Sequence, residues 1–155
     1  MRFRTEDTDT YLQSRDYVDT AIVPLVKVSL TADIKSTIQA TEFTTILSEE
    51  MERQFRGRVM LFPPFSYHDT ESAEGKKERL HLWQTELEGA GFNYMILLTS
   101  DANWKQDEQA LEPLQLVYVP SIALEYIEQK NRKKVMDDQM QQILPLITGL
   151  WQKKR

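Results

Sequence analysis

Cysteine is absent from these 155 residues, which excludes disulfides, thiolate metal sites and cysteine nucleophiles, and fits a reducing compartment. Histidine is scarce. His68 and His81 are the only two, and neither stands in a metal-ligand spacing. The five glycines, at 57, 75, 89, 91 and 149, build no phosphate-cradling loop. Gly89-Ala90-Gly91 follows a helical stretch and precedes a strand, the wrong side of a strand–helix unit for that task. The Gly-x-Ser-x-Gly nucleophile pattern is missing as well. No run approaches the ~18 apolar residues of a spanning helix. The opening Met1-Arg2-Phe3-Arg4 has no apolar run behind its charges. The expectation is a cytoplasmic chain with no membrane insertion, no secretory signal, no metal and no cofactor.

What is present suits one globular domain over 1–155. Hydrophobic residues make up 41% and charged ones 28%, the balance of a folded chain and not of a disordered one. A chain of this length buries roughly 70% of its unfolded surface without staples. The net charge of −5 is uneven: from Glu128 onward the balance is +4, leaving −9 for the rest. The basic run Lys130-Arg132-Lys133-Lys134 and the tail Lys153-Lys154-Arg155 lack interleaved aromatics or a nucleic-acid motif. They read as solvated surface, and no nucleic-acid partner is expected.

Four strands stand out. Ala21-Ile22-Val23 is the first, stopped by Pro24, with Leu25 to Leu30 extended but irregular. Val59 to Phe62 is the second, ended by Pro63-Pro64, because proline cannot donate to a ladder and restricts its predecessor. Phe92 to Thr99, apolar on both faces, belongs at the centre of a sheet. Leu114 to Val119 is the fourth, stopped by Pro120.

Helices alternate with them. A short one falls within 5–18. A second runs from Thr31 to Phe55, best from Thr41, where Phe43, Ile46, Leu47, Met51 and Phe55 share a face. Gly57 supplies its stop. Residues 68–77 read as a mobile polar loop, followed by a helix over 76–88 with Leu80, Trp83 and Leu87 on one side. The last helix, about 128–153, carries Met136, Met140, Ile143, Ile147 and Leu150 as one seam, with Pro145 expected to kink or interrupt it. Two coverings suit the seam's end at Ile147 and Trp151: a second copy in a two-fold dimer, or a fold-back onto the same subunit.

Strands alternating with helices imply parallel pairing through right-handed crossovers. The expected fold is a three-layer α/β domain of four parallel strands in the order 2-1-3-4. All strand ends marked by proline, or by Ser100-Asp101, then share one edge, where open parallel sheets take ligands. Tyr67, His68, Ser100, Asp101, Trp104 and Ser121 are the candidate ligand residues there, with Lys27 and Ser29 beside them. No catalytic residue is assigned. Tyr67 also suits a half-buried packing role, Asp101 a turn cap, and Trp104 a ring folded back over the sheet end. Asp19 and Asp101 belong at opposite ends of their strands, too far apart to cooperate.

Tyr17 to Leu25 (YVDTAIVPL), Glu52 to Arg58 (ERQFRGR) and Leu61 to Tyr67 (LFPPFSY) resemble the YpiF-like family of small uncharacterised proteins of spore-forming bacilli. The resemblance implies a cytoplasmic protein and carries over no catalytic residue. The outline is also similar to creatininase-like amidohydrolases, whose first strand runs into proline. Their metal-binding Glu and His after that strand are replaced here by Leu25, Val26 and Lys27. Two functions follow as expectations: a non-catalytic interaction or regulatory domain with a protein partner, or a binder or enzyme acting on a small molecule at the sheet edge.

Overall fold

In a computed structural model, which describes residues 1–153, the chain forms a parallel sheet covered on both faces. A 3-10 turn at Thr5–Asp7 leads into α1 (Thr8–Gln13), then β1 (Thr20–Val28), α2 (Ile34–Gln54), β2 (Val59–Leu61) and β3 (Phe65–His68). These are followed by α3 (Ala73–Gly89), β4 (Tyr94–Thr99), 3-10 turns within 102–111, β5 (Gln115–Tyr118) and α4 (Gln129–Gln152). The order is β2-β1-β4-β5, with β3 also on β1. This is the expected 2-1-3-4 arrangement, with the second strand split in two.

Proline acts differently at the two strands. Pro24 does not end β1, which runs on to Val28. Pro63-Pro64 follow the end of β2 at Leu61 as expected, but beyond them a further strand pairs with β1, Leu25 opposite Phe65. Ile22 faces Leu61, so three residues (62–64) stand against two (23 and 24), a one-residue bulge. The Phe62 N–H donates to the Ile22 carbonyl at 2.9 Å, so Ile22 turns its polar groups towards β2. Strand alternation turns Pro24 the same way. The missing N–H of Pro24 therefore faces the prolines of the bulge, where no ladder bond is due.

Alternation divides the core. Ala21, Val23, Leu25, Met95 and Leu97 pack with Leu80 and Leu87 of α3, and with Phe65, Tyr67 and Trp104. Ile22, Ile96, Leu98 and Val117 pack instead with Phe43, Leu47 and Met51 of α2 and Met136, Met140, Ile143 and Ile147 of α4. α2 and α3 lie on opposite faces because the right-handed crossovers β1–α2–β2 and β3–α3–β4 run in opposite directions across the sheet. The segment 68–77 is not one long loop: His68 ends β3, and α3 begins at Ala73, where the Ser72 hydroxyl accepts the Gly75 N–H at 3.0 Å, leaving a loop at 69–72.

Helix α4 runs unbroken through Pro145. Pro145 and Gln141 are both exposed, so the carbonyl deprived of its donor faces water. Ile147 is 1% exposed within the single chain. Trp151 packs edge-on against Phe55 at 5.0 Å, under the Arg58 guanidinium at 4.1 Å, and its Nε1 donates to the Thr20 hydroxyl at 2.8 Å. The end of the seam thus packs on its own subunit, with Ile147 buried there and Trp151 half-buried. Lys154 and Arg155 of the basic tail lie outside the described residues. Among the described residues, no helix is long and apolar enough to cross a membrane.

At the amino end of the sheet a charged cluster replaces apolar packing. Glu52 of α2, 1% exposed, receives the Met1 ammonium at 3.2 Å, Arg2 at 3.2 Å and Arg56 at 3.0 Å. Burial alone would push its carboxyl up. Arg56 and the Met1 ammonium, with Arg2, outweigh that and hold it at about 2, against an ordinary 4.5.

Two outcomes are expected. Leu97 is 1% exposed in a central strand, so Leu97→Asp costs several kcal/mol against a total of roughly 5–15, and circular dichroism should find it unfolded. A soluble variant melting cooperatively would show the core misplaced. Because the folded Glu52 carboxyl is depressed, its contribution is full above the ordinary 4.5 and is lost as pH falls towards about 2. Urea unfolding across that window should lose about 3 kcal/mol to this group. A Glu52→Gln variant with an equally steep acid loss would assign it elsewhere.

Candidate functional site

The sheet order reverses at β1, whose two neighbours are reached by crossovers on opposite faces. A crevice of about 250 Å³ opens there, past the carboxyl ends of β1, β3 and β4, the position at which open parallel sheets bind ligands. Its floor is Leu25, Val26 and Lys27 of β1. One wall is Tyr67 of β3 with Ser100, Asp101 and Ala102 after β4, and Ser121 closes the rim. The opposite wall is the N-terminal half of α2, namely Ser36, Thr37, Ala40, Thr41 and Thr44.

The expected edge residues separate into two groups. Lys27, Tyr67, Ser100, Asp101 and Ser121 meet in the crevice. His68, Trp104 and Ser29 do not line it. His68 follows buried Tyr67 on β3 and alternation turns it to solvent. Trp104 is 2% exposed, folded back over the sheet end in edge contact with Phe65 and Tyr67 at 6.4 and 5.2 Å. Ser29 lies beside Asp69. Sequence reading missed the α2 wall. Its trace was present as hydroxyl residues at 37, 41, 44 and 48, one helix face by spacing, hidden because that stretch is poor in large apolar residues.

The polar groups largely satisfy each other. Tyr67 donates to Asp101 Oδ2 at 2.6 Å, and Asp101 Oδ1 accepts the Asn103 N–H at 3.0 Å, capping the turn that carries Trp104. Burial, then the Asp101 carboxylate, drives the Tyr67 phenol well above its usual range. It stays protonated and gives its proton to Asp101. Lys27 pairs with Asp69 at 3.1 Å, while the Ser29 hydroxyl and then Lys27 hold the Asp69 carboxyl below the ordinary carboxylate range. The Thr44 hydroxyl donates to Ser100 Oγ at 3.1 Å. Lys76 of α3 lies over the rings of Tyr67 and Trp104, at 5.0 and 4.6 Å. Asp19, paired with Arg58 at 2.9 Å, sits at the far end of the sheet from Asp101. Among the described residues no group of three or more carboxylates and histidines converges as a metal site would require.

This arrangement makes Tyr67 the tie between β3 and the turn after β4. Tyr67→Phe should lower stability by about 1.5–3 kcal/mol, as for loss of a hydrogen bond to a charged group, read from the urea midpoint. An unchanged midpoint would show that the bond holds nothing.

Comparison with known proteins agrees with the sequence blocks quoted above. A family model described as "Protein of unknown function (DUF2487)" matches residues 9–151. The chain is 37% identical over 153 residues to the uncharacterized protein YpiF of Bacillus subtilis (strain 168), an alignment covering 97% of this chain and 98% of that one. No solved structure matches significantly. With the family model spanning nearly the whole domain and a full-length relative beside it, the chain belongs to the DUF2487 family of proteins of unknown function.

Proposed function

We propose that this protein is a non-catalytic regulatory domain of the cytoplasm that holds a small molecule in the crevice at the carboxyl ends of β1 and β4, and answers to a protein partner. The observation that carries this reading is the placement of a polar, open crevice at the reversal of strand order, with its charged groups already engaged. General acid–base chemistry needs a group free to exchange a proton near the working pH. Tyr67 is held protonated, Asp101 is fixed as a turn cap, and Lys27 is paired. Ser100 accepts from Thr44 and has no histidine beside it. Binding without turnover is what such a site supports.

Ala40, between the hydroxyl residues of the α2 wall, offers the test. Thermal melts of the wild type against a chemically mixed metabolite set should find a compound that raises Tm by a few degrees. Ala40→Phe, which fills the crevice, should keep the unliganded fold and lose that response. A response surviving in Ala40→Phe would move the site elsewhere. Conversion of the bound compound would overturn the non-catalytic reading.

A further inference from the structure

Resting on that reading, we propose that the crevice takes an uncharged, polyhydroxylated molecule of about monosaccharide size. Three features of the site bear on this.

The first is charge. Lys27 is neutralised by Asp69 at 3.1 Å, and Asp101 is satisfied by the Tyr67 hydroxyl at 2.6 Å and the Asn103 N–H at 3.0 Å. Lys76, over the Tyr67 ring, brings the local sum to two cations against two anions. An anionic ligand would meet Asp101 in the same cavity, and a cationic one would meet Lys27. Either would have to displace an existing pair to gain its own, and a displaced charge is costly when partly desolvated.

The second is what remains unengaged. The side-chain hydroxyls of Thr37, Thr41 and Ser121 make no hydrogen bond to any described residue. Ser100 accepts from Thr44 and so keeps its own proton to give. Each free hydroxyl offers one donor and two acceptor sites. Groups that both give and receive are matched in full by ligand hydroxyls, and only by half by a carbonyl or an ammonium group.

The third is size. About 250 Å³ lies below the roughly 300–1,000 Å³ of ordinary ligand pockets. There is room for one small ring and its hydroxyls, not for a dinucleotide.

The test is an NMR titration of the full chain with myo-inositol, ribose and glycerol, set beside inorganic phosphate, acetate and putrescine. The neutral polyols should move the amide signals of Thr41, Thr44, Ser100 and Ser121 saturably, and the charged probes should not. Thr41→Val, which keeps shape and removes one hydroxyl, should weaken polyol binding roughly five- to tenfold, while Ala40→Phe should abolish it. Saturable shifts at these residues from a charged probe alone would overturn the ligand class and leave the crevice reading standing. Polyol shifts that persist in Ala40→Phe would overturn the proposal by placing the binding elsewhere. No response in the crevice to any probe would overturn both the ligand class and the crevice reading.

Discussion

Everything in this domain depends on β1 pairing on both of its edges, along Thr20–Pro24 on one and from Thr20 to Val28 on the other. It carries β4 on one edge, and β2 then β3 on the other. With both edges used, its side chains can only alternate between two faces, and both must be covered. That requirement places α3 on one side and α2 with α4 on the other. The bulge at 62–64 lets this strand carry a proline without losing a due bond. It also resets the register so that Tyr67 faces inward, within reach of Asp101.

The two ends of the sheet solve the problem of buried polarity differently. At the amino end, Glu52 and Asp19 are neutralised by full charges from Arg56, Arg58 and the chain's first residues. The buried Glu52 is tolerated because several partners converge on it. At the carboxyl end, neutral hydroxyls dominate and the few charges are paired off. The first end is closed by these ties, whereas the second leaves donors and acceptors open to a visitor.

The sequence disclosed the layers, the strand order and half of the crevice for one reason: the signals were local. Tyr94 to Thr99 is apolar at nearly every position, and all six residues are buried. The seam of α4 was equally plain. Phe65-Ser66-Tyr67-His68 alternates as a strand should, yet two prolines in front masked it, because their tolerance depends on Pro24, far off in sequence. Pro145 misled for a related reason, since its cost depends on which side of the helix meets water. The α2 wall went unread because hydroxyl residues on a helix declare no partner until the opposite wall is folded against them. Lys27, Tyr67, Ser100, Asp101 and Ser121 were legible only because parallel order puts every strand end on one edge.

The bond from Trp151 to Thr20 joins residues 131 apart in the chain. Such a contact can form only after nearly the whole domain has been made, and loop closure over so long a stretch is entropically slow to pay back. Until α4 arrives, Ile22, Ile96, Leu98 and Val117 lack half of their cover. During synthesis that face is therefore covered by α2 alone until α4 has been made. That interval is when the apolar surface of this face is most open to aggregation.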